Sequence, residues 1–313
     1  MIRRALLNAH RYFYSLKEEK DYKKTNKVMW GVCEGLRITT QLVFNFCIRI
    51  YALMGLYPKP LHGNPNLVVS LTSFPARIGM LWATIDSIFQ QRLQPYLICL
   101  YLSEDEFPNK EKDLPSRLLN YERKGLKIYF CSDNLMPHKK YFYALQEFKE
   151  NCVVTIDDDI YYHEDMLERL WSLHTNHPGM VCANSYRHIV TNEKGDFLPY
   201  ATWNTLDDYN EKESHLNLAI GMGGVLYPPH NYAATGMFDV DNIKKLALRV
   251  DDLWLKAHEI MGGIKVISRA YCNMGISLLQ SGNISLSTTN VSSGNNEQWE
   301  KLCIHFNLKK IIT

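Results

Sequence analysis

The sequence predicts an α/β fold: a mostly parallel, Rossmann-like sheet flanked by helices on both faces, with a helical appendage at the N-terminus. Three observations predict it. Between residues 66 and 174, short apolar runs alternate with segments of helical period, which is the pattern of parallel strands joined by crossover helices. The chain has 313 residues, 46% of them hydrophobic, enough for one large core. The first sixty residues read differently from the rest, being basic, then amphipathic, then rich in Pro and Gly.

The elements follow in order. Residues 1–27 hold Arg3, Arg4, Arg11, Lys17, Lys20, Lys23, Lys24 and Lys27 against Glu18, Glu19 and Asp21, whereas the whole chain carries only +2. A basic head on a mildly acidic body suits an anionic membrane surface, or it is simply a solvated terminus. The segment 37–58 is apolar except for Arg37, Gln41, Asn45 and Arg49, which fall four apart and make one stripe on a helix. Two arginines argue against a membrane span. They allow a helix lying in the membrane interface, or one packed on the body, with the stripe toward water. Pro58, Pro60, Gly63 and Pro65 close a region 1–60 and open a domain 61–313.

Within that domain the predicted strands are 66–74, 97–103, 126–132 and 152–157, and the predicted helices are 80–91, 141–148 and 164–174. The stretch 281–298 is rich in Ser, Asn, Thr and Gly and reads as a flexible loop. The low net charge excludes strong nucleic-acid binding. The eight cysteines form no C-x-x-C pair, which points to a reducing compartment and no structural zinc. The expected location is cytoplasmic, peripheral at the inner face of the cell membrane.

The most informative stretch is CVVTIDDDIYY, 152–162. An apolar strand runs into three carboxylates with no basic neighbour in sequence, at the sheet end where ligands of such folds bind. A hard divalent cation, Mg²⁺ or Mn²⁺, would neutralise them through Asp157 and Asp159, whose side chains share one direction, while Asp158 points away.

This run resembles the Asp-x-Asp motif of GT-A-fold glycosyltransferases. SLTSFPARI (70–78) is similar to their first strand and nucleotide loop, GMGGVLYPP (221–229) to their glycine-rich acceptor segment, and RVDDLWL (249–255) to the acidic motif that carries the base. The nearest likeness is to bacterial enzymes of capsule and lipopolysaccharide synthesis. The resemblance implies a nucleotide-sugar donor, a UDP-sugar first, a glycan acceptor, and inversion at the sugar carbon. It implies Asp252, with Asp251 beside it, as the base. Thr72, Ser73, Arg77, Lys140, Asp158, Gly223 and Gly224 would hold the donor, and His305 would complete the shell of Asp157 and Asp159. Two other readings stand beside it: a nucleotidyltransferase on a similar scaffold, and a membrane-associated binding protein without catalysis.

Overall fold

Strand residues alternate between two cores, and this alternation builds the sheet. In β1 (Asn64–Thr72), Leu67, Val69 and Leu71 enter one core and Val68 the other. In β2 (Pro95–Ser103), Ile98, Leu100 and Leu102 oppose Cys99 and Tyr101 in the same way. The computed structural model describes residues 2–19, 22–203, 211–269, 274–279 and 294–312. Its further strands are β3 (Leu126–Cys131), β4 (Cys152–Thr155), β5 (Ile160–Tyr162), β6 (Val181–Ala183), β7 (Tyr186–His188), β8 (Glu211–Ser214), β9 (Asn217–Ala219), β10 (Val225–Tyr227), β11 (Val266–Arg269) and β12 (Gly275–Ser277). The main sheet runs β3-β2-β1-β4-β10-β6-β11-β8. The β3-β2-β1-β4 block and the β6–β11 pair are parallel, and β10 and β8 are antiparallel to their neighbours. Two small ladders, β12–β5 and β7–β9, lie outside it.

The helices are α1 (Ile2–Glu19), α2 (Tyr22–Thr25), α3 (Lys27–Leu53), α4 (Leu81–Phe89), α5 (Ser116–Leu119), α6 (Lys139–Phe142), α7 (Ala144–Glu147), α8 (Met166–Asn176), α9 (Val240–Asn242) and α10 (Asp251–Met261), followed by Asn295–Phe306 and Leu308–Ile312. One face of the sheet is covered by α4, α8 and the N-terminal helices, the other by α6, α7, α10 and Asn295–Phe306. The predicted helix 141–148 is two short helices. Part of the predicted loop 281–298 is the first turn of Asn295–Phe306, and the rest of it falls largely outside the described residues.

Helix α4 is buried on every side, Asp86 included. Its outer side is covered by the N-terminal helices, whose charges are used internally. Arg3 Nη1 meets Asp86 Oδ2 at 2.7 Å, Arg4 meets Glu164 at 2.5 Å, and Arg11 grips Asp165 at 2.6 and 3.0 Å. Tyr161 and Tyr121 also donate to Asp86.

The polar stripe of α3 points inward, opposite to both sequence readings. Asn45 is buried, donates to Ser277 O at 3.1 Å and accepts from Leu279 N–H at 2.8 Å. Gln41 also donates to Ser277 O, and Arg49 to Leu279 O. The reason is that an irregular strand end offers unpaired peptide groups, which a carboxamide satisfies better than a leucine can. The consequence is an outer face of Val32, Leu36, Leu42, Phe46 and Leu53, all exposed. No helix among the described residues is long and apolar enough to cross a membrane.

Asn45→Ala removes both bonds to the 277–279 backbone, at about 1–3 kcal/mol. Amide exchange at Leu279 and along 275–278 is expected to rise while the parallel strands stay protected. Unchanged protection there would show that α3 does not hold this segment.

Candidate active site

Strand β4 delivers the acidic run to the carboxyl edge of the sheet. The Ile156 N–H still bonds Ser70 O at 3.0 Å, and the chain then leaves the ladder. Asp158 turns inward. Ser73 Oγ donates to its Oδ2 and Arg77 Nη1 to its Oδ1, each at 2.6 Å, and Thr84 Oγ1 donates to its carbonyl at 2.9 Å. Arg77 also lies 3.0 Å from Asp159 Oδ2. Asp157 Oδ1 takes Lys140 Nζ at 2.9 Å, and the Asp157 N–H donates to the hydroxyl of Tyr162.

The triplet is therefore neutralised in part by cations of the chain itself. The expectation that only an external ion could do so is corrected: Arg77 and Lys140 are remote in sequence and are brought in by the turn after β1 and by α6. Exposure separates the three carboxylates. The side chain of Asp158 is 7% exposed, those of Asp157 and Asp159 33% and 35%. Burial, then the neighbouring Asp157, pushes Asp159 up to about 6 against the pull of Arg77.

Lys140 is the centre of a second cluster. It is buried, and its Nζ lies 2.9 Å from Asp251 Oδ2 as well as from Asp157. Burial disfavours its charge, but Asp157, Asp251 and Asp252 together hold it well above the ordinary lysine value. Asp251 and Asp252 open α10, where a helix N-terminus favours acids. The like-charged pair splits. Burial raises both, but Lys140 outweighs burial at Asp251 and keeps it ionised below the usual range. Burial and the charge of Asp251 drive Asp252 well above it. Gly221 closes the cluster. Its N–H points to Asp252 Oδ2 at 3.4 Å, and a Cβ there would stand 3.2 Å from both Asp252 Oδ1 and Lys140 Nζ and 3.6 Å from Asp157 Oδ1.

Thus Asp157, Lys140, Asp251 and Asp252 are brought together. The remaining expected residues are placed otherwise. Thr72 donates to Tyr101 O. The missing side chains of Gly223 and Gly224 face Met274 and Ser185, and Met166 and Leu170, so these glycines serve packing; Gly224 also has φ +82°. His305 is exposed on its helix with its ring against Phe306, and none of the contacts of the triplet is with it. Sequence reasoning missed Gly221 as the glycine nearest the charges. It also missed Tyr162, whose hydroxyl joins the Asp157 N–H to Met222 O. The tyrosine pair after the triplet was the available signal.

Among the described residues no three His, Cys, Asp or Glu side chains are placed to hold a metal ion alone. Two exposed carboxylates, Asp157 and Asp159, do fit a hard cation that takes its other oxygens from a diphosphate and water.

Residues 76–223 match the model of the family described as Glycosyl transferase family 2. The chain is a glycosyltransferase of the GT-A fold. The matched part of this glycosyltransferase begins beside Arg77, spans Lys140 and the triplet, and ends before Asp251. Among solved structures it is similar to a mannosyltransferase from Pyrobaculum calidifontis in complex with GDP-Man and Mn²⁺, at 11% identity and TM-score 0.47 over 87% of this chain and 76% of that one. A 4-diphosphocytidyl-2C-methyl-D-erythritol synthase from Anaerococcus prevotii gives 11% identity and TM-score 0.41 over 68% and 90%. A CMP:2-keto-3-deoxy-manno-octonic acid synthetase complexed with CTP gives 10% and 0.39 over 69% and 94%. No curated protein matches the sequence.

Arg77→Ala strands the buried carboxylate of Asp158 and is expected to cost the glycosyltransferase roughly 3 kcal/mol. Asp159→Asn, at the exposed end of the same network, is expected to change stability by less than about 1 kcal/mol. Urea unfolding of the two variants makes the comparison, and equal losses would refute the division into an inner and an outer carboxylate.

Proposed function

We propose that this glycosyltransferase is a metal-assisted, inverting enzyme that moves a sugar from a nucleotide-sugar donor, a UDP-sugar first, to a hydroxyl of a cell-surface glycan. One observation carries the reading: Asp157, on the donor side, and Asp252, on the acceptor side, meet around one buried lysine and one glycine. Asp157 and Asp159 would hold Mg²⁺ or Mn²⁺, which supplies Lewis-acid neutralisation of the diphosphate.

The residues of the chain account for the rest. Asp252 takes the proton of the acceptor hydroxyl as its oxygen bonds to the anomeric carbon. The bond from that carbon to the diphosphate oxygen breaks, and its electron pair leaves with the nucleoside diphosphate. Asp252 suits this role better than Asp251. Its basicity is raised and its side chain is only partly buried, whereas Asp251 is neutralised by Lys140. Arg77 and Ser73 orient Asp158 and through it the loop. The nucleotidyltransferase reading has no such support, because Arg77, the one basic residue of 70–78, is tied to Asp158 and Asp159.

Asp252→Asn is expected to lower transfer by about 10²–10⁴-fold while nucleoside diphosphate and Mn²⁺ still bind by calorimetry. In the wild type, transfer should rise with pH along a limb above the ordinary carboxylate range, because Asp252 must lose its proton first. Full activity of Asp252→Asn, or transfer that survives both EDTA and Asp159→Ala, would overturn the mechanism.

The outer face of α3 supports a membrane partner. Phe46 is 66% and Leu53 88% exposed, and the exposed Lys23, Lys27 and Lys59 flank the two ends of the helix. An apolar face between cationic ends suits a bilayer with anionic headgroups. Co-sedimentation with phosphatidylglycerol vesicles should exceed that with phosphatidylcholine alone, and Leu42→Glu with Phe46→Glu should weaken it at least tenfold at an unchanged urea midpoint. Equal recovery of wild type and variant would remove the membrane from the proposal.

A further inference from the structure

Beyond the reacting groups, a guanidinium without an acidic partner stands on the acceptor side. Arg187 lies on β7, which pairs with β9 in the register Arg187↔Leu218. That ladder leads straight into the charged cluster. Ile220 N–H bonds Ser185 O at 2.9 Å, and Gly221, which follows, touches Asp252. Arg187 is half-buried, and its guanidinium carbon lies 4.9 Å from the ring centroid of Tyr200. No carboxylate among the described residues forms an ion pair with it. This is unusual for an arginine held against a ring, since most such arginines are neutralised by an acid.

Tyr200 is positioned rather than loose. Its N–H bonds Asn296 Oδ1 at 2.5 Å, and its ring packs against Trp203 at 4.9 Å. Trp203 is buried and meets Trp299 edge-on, so the platform is anchored in the core. Beside it, the Asn295 Oδ1 is buried without a hydrogen-bond partner among the described residues. The hydroxyl of Tyr200 also lies within electrostatic reach of Asp252. A ring face, an unused carboxamide oxygen and an uncompensated guanidinium thus adjoin the proposed base. A pyranose ring would stack on the aromatic, one of its hydroxyls would donate to the amide oxygen, and an anion on the sugar would pair with the guanidinium.

We propose that Arg187 and Tyr200 form an acceptor subsite for a sugar bearing a negative charge, a uronate carboxylate or a phosphate. The assignment rests on the glycosyltransferase reading for the word acceptor, but the anion preference does not.

The test uses the full chain and three probes: methyl β-D-glucuronide, methyl β-D-glucoside and glucose 6-phosphate. Binding is followed by ligand-observed NMR, with UDP and GDP titrated separately in Mn²⁺. The wild type is expected to bind at least one anionic probe tenfold or more tightly than the glucoside, and the tighter of the two names the anion. Arg187→Met should erase that preference and leave the binding of glucoside and nucleoside diphosphate unchanged, and Arg187→Lys should keep part of it. Equal binding of charged and neutral probes by the wild type overturns the subsite without any variant. So does a preference that survives Arg187→Met. A chain that prefers the anionic probe but binds no nucleoside diphosphate keeps the anion site and loses the donor reading instead.

Discussion

A buried lysine shared by three carboxylates sets the geometry of this enzyme. Lys140 comes from α6, Asp157 from the end of β4, and Asp251 and Asp252 from the start of α10. Taking an ammonium out of water is costly, and one acid would not offset it. At an effective dielectric of about 20, each close contact returns roughly 5 kcal/mol before desolvation is subtracted. Several acids around one cation are what make the burial tolerable. The same arrangement draws three elements from distant parts of the chain to one point. Gly221 is the condition for that closeness, because any side chain there would stand between the acids and the lysine.

The metal loop is braced from two directions. On the inside, Ser73, Thr84 and Arg77 fix Asp158. On the outside, β12 pairs with β5, Leu278 N–H reaches Asp159 O at 2.8 Å, and α3 grips 277–279 from beyond. A chain of backbone hydrogen bonds therefore links the apolar outer surface of α3 to the exposed carboxylate of Asp159. The two outer carboxylates remain open to a ligand because the inner one carries the structural bonds.

Much of this was legible in the sequence, and the limits have physical causes. The parallel strands β1 to β4 announce themselves through period-two burial, and the triplet marks its own place at a strand end. The acids of Asp251–Asp252 read correctly as a helix start. Strands β6, β8, β10 and β11 are three or four residues long, too short for a period to show. The counter-ions were invisible because Arg77 lies 81 residues from Asp158 in the chain, and Lys140 lies 17 from Asp157. The stripe of α3 was read outward because charge and amide usually seek water. Nothing in 37–58 tells that the peptide groups of 277–279 need partners. The outward apolar face follows from that one inversion.

Asn45 and Ser277 are 232 residues apart, so the partner of α3 is among the last segments to be synthesised. During translation the helix leaves the ribosome with its amide stripe unmatched and its greasy flank bare. Nascent chains in that condition are clients for holding factors or for lipid, whichever reaches them first. The order of synthesis thus exposes this helix to its surroundings before the catalytic body exists to claim its other side.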